Sequence, residues 1–283
     1  MDRKLIDLHT HTNASDGSLS PSEFIFECKN AGLSAVAVTD HDTTAGVAEC
    51  VKLGKQHGID VISGVELSAE FPGELHILGL FINPDAPSFE KAKKLFSLYR
   101  AQRNEKQILL LKKNGFDISN DENIKSRSFE TIGRVHMANA LVNCGYAYDY
   151  NSAFKSFLTP DSSYFVKRQK LPIAECINII HEADGIAFLA HPNHSAKTFA
   201  DLETLIRILK GYSIDGIECY HSSMDKHHSS LALEMAKKYN LLISAGSDFH
   251  GQNRSDVTLG HTFNHEPIYE NILEEIKKVY FAN

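Results

Sequence analysis

The sequence predicts an α/β fold, a parallel sheet of seven strands interrupted by a helical insertion. Three observations predict it. Short apolar runs recur with a helix-spaced segment after each, which is the pattern of a parallel sheet. Most runs end in polar residues rich in histidine, and such folds gather functional groups at the C-terminal ends of their strands. Between about Asn83 and Lys170 the alternation lapses into helical patterns alone, giving a subdomain of roughly 80 residues. The expected division is a catalytic domain over 1–82 and 171–283 with a helical insertion over 83–170.

The first strand, residues 5–8, ends in His9-Thr10-His11-Thr12, with Asp16-Gly17 just beyond. Side chains two apart in an extended segment point the same way, so the imidazoles form a chelating pair. Ser20-Pro21 followed by Glu23 reads as an N-cap with Pro at the first helical position, opening a stripe through Phe24, Ile25, Cys28 and Ala31. Strand 35–38 ends in Thr39-Asp40-His41-Asp42. A helix through Val47, Val51 and Leu53 closes near Gly58 and leads to strand 61–66, ending at Glu66. Residues 75–81 form a further apolar run containing His76. Segments 88–113, 131–143 and 150–158 read as the helices of the insertion. After Leu171-Pro172 the alternation returns. A helix through Cys176, Ile177 and Ile180 leads to strand 186–190 and His191-Pro192-Asn193-His194. A helix over 202–209 leads to strand 216–220 and His221, and one through Leu231, Leu233 and Met235 leads to strand 241–246 and Ser247-Asp248-Phe249-His250. An amphipathic helix over 269–280 follows.

Composition narrows the function class. A net charge of −7 argues against coating long nucleic acid, although bound cations would dominate the potential inside a carboxylate-rich site. No apolar run approaches about 18 residues, and the N-terminal residues lead straight into a strand without a signal segment, so the expected location is the cytoplasm. The five cysteines are odd in number and contain no C-x-x-C, which points to reduced packing residues.

Histidine placement carries the chemistry. Of fifteen histidines, His9, His11, His41, His76, His191, His194, His221 and His250 lie in or at the end of predicted strands, together with Asp16, Asp40, Glu66 and Asp248. A metal cluster is the economical reading. His57, His181, His227, His228, His261 and His265 fall in helix or loop contexts and read as solvated. Nitrogen and oxygen ligands without thiolate suit Zn, Mn or Fe, and several carboxylates favour a multinuclear site. Such sites serve phosphoester hydrolysis, but a single-metal amidohydrolase also uses His-x-His on a barrel strand, and spacing alone leaves both open.

His9-Thr10-His11-Thr12 with Asp16-Gly17, Thr39-Asp40-His41, Gly64-Val65-Glu66, His191-Pro192 and Ser247-Asp248-Phe249-His250 together resemble the motifs of the PHP (polymerase and histidinol phosphatase) family, in the family's order over essentially the whole chain. The resemblance implies a distorted (β/α)7 barrel holding a trinuclear centre. By motif, it implies that His9, His11, Glu66 and Asp248 hold one divalent ion, that Glu66 bridges to a second held by His76 and His191, and that Asp16, His41 and His250 hold the third. Many relatives carry His where this chain has Asp16.

In the insertion, Ile132-Gly133-Arg134-Val135-His136-Met137-Ala138 and Tyr164-Phe165-Val166-Lys167 resemble the branch that removes phosphate from nucleoside 3′,5′-bisphosphates and trims short RNA from its 5′ end. That resemblance implies that Arg134, Lys167 and His194 bind substrate phosphate. Arg offers a bidentate fork and Lys a point charge for a phosphate the metals do not hold. Arg168 and Lys170 stand close enough in sequence to replace Lys167. His221 is a further candidate for touching substrate, with a supporting role behind the ligands as its alternative. In the expected reaction a metal-bridging hydroxide attacks phosphorus, with Asp40 or His194 moving protons. The expected partner is a small phosphorylated substrate, a nucleotide or short RNA, with no long duplex and no membrane. The alternatives are a histidinol-phosphatase-like or other small-molecule phosphomonoesterase, which would not need Arg134 and Lys167, and a metal-binding module whose catalysis has decayed.

Overall fold

In the computed structural model, which describes residues 3–130 and 132–282, the strands β1 (Leu5–Asp7), β2 (Leu33–Val38), β3 (Asp60–Ser68), β4 (His76–Leu80), β5 (Ile186–Leu189), β6 (Gly216–His221) and β7 (Leu242–Gly246) lie in chain order in one sheet. Its edges meet: Leu8 N–H donates to the Ala245 carbonyl (3.2 Å), Asp248 N–H donates to the His9 carbonyl (2.8 Å), and Thr10 bridges Phe249 in parallel. The result is a nearly closed, barrel-shaped sheet, a distorted (β/α)7 barrel. It departs from the all-parallel expectation at one strand. β4 runs antiparallel to both β3 and β5. Only residues 69–75 separate β3 from β4, too few for the crossover of a dozen or more residues that a parallel return requires.

The chain divides into two compact units, residues 1–90 with 171–283, and residues 91–170. The boundary falls after residue 90 instead of 82. Asn83 N–H donates to the Ala183 carbonyl (2.6 Å), which ties the segment after β4 to the first unit.

Strand β2 shows why the barrel strands read as continuous apolar runs. Ala35 and Ala37 face an interior cluster with Ile6, Leu8, Ile62, Leu78 and Phe188, whereas Val36 and Val38 face an outer cluster with Phe24, Ile25 and Cys28 of α1 (Pro21–Asn30) and Val47 and Cys50 of α2 (Val47–His57). With both faces covered, alternation of polar and apolar residues disappears. Ser20 caps α1, its side chain and that of Glu23 bonding each other's backbone amides as the sequence predicts.

The second unit takes most of α3 (Pro87–Lys113), then α4 (Glu122–Lys125), α5 (Arg134–Asn143) and α6 (Tyr150–Ala153), which continues as a π-helical turn over Phe154–Leu158. Ile108, Leu111, Met137, Leu141 and Leu158 centre its own core. The predicted start at Thr131 lies outside the described residues. The helix itself begins at Arg134, because Gly133 has extended backbone (φ −101°, ψ 168°) and serves as the N-cap. On the first unit α7 (Ile173–Glu182), the short α8 (Pro192–Ser195), α9 (Phe199–Gly211), α10 (Lys226–Tyr239) and α11 (Asn271–Tyr280) complete the helices. No helix among the described residues is long and apolar enough to cross a membrane.

The helix-borne His181 has a structural partner. His181 Nε2 lies 2.7 Å from Asp215 Oδ2, which also accepts the Ala187 N–H (2.8 Å) at the start of β5. The bond to Asp215 raises the His181 pKa above its ordinary value of 6.5. A raised folded-state pKa gives stability that is complete below the ordinary value and lost as pH rises through the raised one. The melting-temperature gap between wild type and His181→Asn is therefore expected to be largest near about pH 6 and to shrink by about pH 9. A gap independent of pH would show that the imidazolium contributes nothing.

Candidate metal centre

His9 and His11 follow β1, and both are fully buried. Thr10 between them turns the other way, its hydroxyl donating to the Ala37 carbonyl (2.6 Å). Both imidazoles therefore face inward, and the Nε2 atoms of His9 and His11 each lie 3.3 Å from Glu66 Oε2. The turn after them needs Gly17. A Cβ there would sit 2.5 Å from the His11 carbonyl oxygen, so only glycine lets the loop fold back and carry Asp16 to the same side.

Glu66, at the C-terminal end of β3, is the hub. Its Oε1 lies 2.8 Å from both His76 Nδ1 and His191 Nε2, and its Oε2 lies 3.0 Å from His41 Nδ1. Five imidazoles thus converge on one buried carboxylate. Burial alone would raise its pKa, but His41, His76 and His9 hold it well below the usual range. His76 is buried as well. It opens β4, and β4 pairs with β3 so that Ser68 stands opposite it, two residues beyond Glu66.

Asp248 and His250 follow β7. Asp248 Oδ1 lies 3.1 Å from His11 Nε2 and 3.6 Å from His9 Nε2. His250 Nδ1 lies 2.8 Å from the Asp248 carbonyl oxygen, where it donates, so Nε2 is free to face Asp16 Oδ1 at 3.2 Å. Asp16 Oδ2 in turn lies 3.8 Å from His41 Nε2. The ligand atoms fall into sets within 4.8 Å of one another, including His9, His11, Glu66 and Asp248, then His11, Asp16, His41 and His250, then His41, Glu66 and His76.

The donor set fits divalent cations. Nε2 of His9, His11 and His221, Nδ1 of His41 and His191, and Oε2 of Glu66 are buried without a hydrogen-bond partner among the described residues. Buried polar atoms are normally paired, and so many unpaired nitrogens and oxygens aimed at one region are what ion coordination would satisfy. Two of the candidate ligands also have positive φ, 26° at His191 and 60° at Asp248.

A profile of the PHP domain matches residues 7–280. The chain belongs to the PHP domain family. It is 35% identical over 251 residues to a 5′-3′ exoribonuclease of Haemophilus influenzae, covering 87% of this chain and 90% of that one. It is 32% identical over 277 residues to a 3′,5′-nucleoside bisphosphate phosphatase of Chromobacterium violaceum, covering 96% of each. The structure of an amidohydrolase from Chromobacterium violaceum, with bound sulfate and no metal, superposes with a TM-score of 0.83 at 30% identity over 96% of each chain. This PHP protein is a metal-dependent phosphoric ester hydrolase.

The remaining predicted residues of the PHP protein fall around this cluster or in the second unit. Asp40 accepts from Thr12 N–H (2.8 Å), Thr12 Oγ1 (2.7 Å) and Ser15 Oγ (2.6 Å), so both its oxygens brace the 12–15 loop; burial raises its pKa. His194 Nε2 lies 3.1 Å from Ser223 Oγ and Nδ1 lies 3.5 Å from Glu74 Oε1, while its ring is 4.5 Å from that of His191. The bond to His194 lowers the Glu74 pKa to about 2. His221 Nδ1 accepts the Ser223 N–H (3.0 Å), which turns Nε2 toward Asp248 Oδ2 at 3.5 Å.

In the second unit, exposed Arg134 begins α5 with its guanidinium 5.1 Å from the Phe154 ring centre. Lys167 is exposed, and Arg168 beside it is part-buried. Arg103 on α3 was not foreseen. Burial and the charges of Arg134, Arg168 and Arg100 lower its pKa to about 9, and its Nε has no hydrogen-bond partner among the described residues. Two other residues were missed in the first unit. Arg254 Nη1 donates to Asp248 Oδ2 (2.6 Å), and Glu218 lies under His9. Glu218 had a signal, since a charged residue inside an apolar strand is almost never buried without a partner. Arg254 had none.

Proposed function

We propose that the chain hydrolyses phosphate esters of nucleotides, removing the 3′-phosphate of nucleoside 3′,5′-bisphosphates, with short 5′-phosphorylated RNA cleaved in the 5′-to-3′ direction as a related activity. The observation that carries the chemistry is the buried Glu66 carboxylate ringed by five imidazoles. On this reading His9, His11, Glu66 and Asp248 hold one ion, Glu66, His76 and His191 a second, and Asp16, His41 and His250 a third, with Mn, Fe or Zn as the candidates. Divalent ions there supply a nucleophile near neutral pH and offset charge on the phosphoryl oxygens.

The chain's own residues do the rest. His194, held between Glu74 and Ser223, moves a proton to the leaving oxygen. Asp40, with both oxygens already engaged, keeps the Asp16 loop in place and is a weaker candidate for proton movement. His221 steadies Asp248, with contact to substrate as its alternative role. Arg134 and Lys167 take the substrate's second phosphate, with Arg103 and Arg168 adding like charge in the same unit. Arg100, Arg103, Arg134 and Arg168 together are more than one phosphate needs, which supports a substrate carrying several phosphates over a simple monoester. The names of the two relatives support the same substrate class.

The test is phosphate release with added Mn²⁺ from adenosine 3′,5′-bisphosphate, histidinol phosphate and AMP. A strong preference for the bisphosphate is the expected result. Equal or faster turnover of histidinol phosphate would replace this reading with the small-molecule phosphatase.

A further inference from the structure

Glu218 stands in the middle of β6, fully buried, one strand away from the ligands of β5 and across the barrel seam from those after β1. Its carboxylate reaches two residues. Oε1 lies 3.1 Å from His9 Nδ1, and Oε2 accepts the backbone N–H of His191 at 2.7 Å. One side chain thus joins the ring of one candidate ligand to the backbone of another that is assigned to a different ion.

We propose that Glu218 is a positioning residue that aligns His9 and His191 together, so that one buried carboxylate sets the geometry of two ion positions. The inference rests on the metal assignment above. At His9 the carboxylate accepts the Nδ1 proton, which fixes the tautomer and leaves the Nε2 lone pair facing Glu66 and Asp248. At His191 it holds a backbone in a conformation the chain would otherwise leave. His191 has φ 26° and ψ 64°, a region that L residues rarely adopt, and it precedes Pro192, whose ring disfavours compact conformations at the preceding residue. The 2.7 Å bond from its N–H to a carboxylate opposes that strain. With both oxygens engaged by donors, Glu218 supports ligands and is not itself one, although it lies near enough to His9 and His221 to be counted among ligand groups.

Gln separates this role from simple packing, since Glu218→Gln keeps the shape. Its amide oxygen can accept from His191, but the NH₂ then faces His9 Nδ1 and favours the opposite tautomer, with the proton on Nε2 where the ion would bind. Chelator-stripped wild type and Glu218→Gln are titrated with Mn²⁺ by calorimetry, and the melting temperature of each stripped protein is recorded. The expected result is a stripped variant that melts close to wild type, with Mn²⁺ affinity lowered about 10- to 100-fold. Wild-type Mn²⁺ stoichiometry and affinity in the variant would overturn the proposal, as would a lower melting temperature with binding unchanged. Wild type that binds no divalent ion would overturn the metal assignment itself. Should Glu218→Gln fail to fold, ¹⁵N-histidine spectra of Zn²⁺-loaded wild type, with His9 assigned by difference from His9→Gln, decide the matter. A protonated Nδ1 on His9 is expected, and an unprotonated one overturns the proposal.

Discussion

Glu66→Gln is expected to strip the protein of divalent metal and to lower phosphoester turnover by about a thousandfold, the loss that follows from several kcal/mol of transition-state stabilisation. The substitution conserves volume and removes one negative charge at the point where His9, His11, His41, His76 and His191 converge. An amide offers one weak acceptor oxygen where the carboxylate offers two charged ones, so it cannot serve ions on both sides. Because ligands that bind only the folded state raise its stability, Mn²⁺ should raise the melting temperature of wild type and leave that of the variant unchanged. Metal content after dialysis, the melting shift and turnover are three separate readings of one change. A variant that retains metal and turns over normally would defeat the assignment of Glu66 as the bridging ligand.

How far the site was legible in the sequence depended on whether a residue's role is set locally. His9 and His11 were legible because a two-residue period in an extended segment fixes their common direction before any tertiary contact forms. His41, His191, Asp248 and His250 were legible because a strand end leads each into a short polar segment at one rim of the barrel. The direction of β4 was not part of that reading. It follows from the length of one connection, and the apolar run of 75–81 looks the same in either direction. Arg254 and Arg103 lay further out of reach. Their partners, Asp248 across a loop and Arg134 on another helix, are defined by tertiary packing, and neither stands in a motif whose spacing carries chemistry. Glu218 falls between these cases. Burial of a charge in an apolar strand announces that a partner exists, but only the folded barrel identifies it as His9 and His191.

Arg134→Ala is expected to lower kcat/KM for adenosine 3′,5′-bisphosphate by about 10- to 100-fold, because a hydrogen bond to a charged group contributes about 1.5–3 kcal/mol. A substrate with a single phosphate at the scissile position has nothing for this guanidinium to hold, so its kcat/KM should stay within about twofold of wild type. The contrast between substrates separates a recognition role from damage to the fold. Arg134 lies at the exposed first turn of α5, with a long 3.5 Å contact to the Leu158 carbonyl and the Phe154 ring nearby, so truncation should leave the core around Met137 and Leu141 intact. Removing it also relieves part of the crowding of like charge on Arg103, whose pKa should then rise, although burial and the charges of Arg168 and Arg100 still hold it down. The Lys variant refines the reading. Arg134→Lys keeps the charge and loses the fork, so partial recovery with the bisphosphate would indicate a point-charge contact, and none would indicate bidentate geometry. Equal losses on both substrates in Arg134→Ala would remove Arg134 from the recognition of the second phosphate.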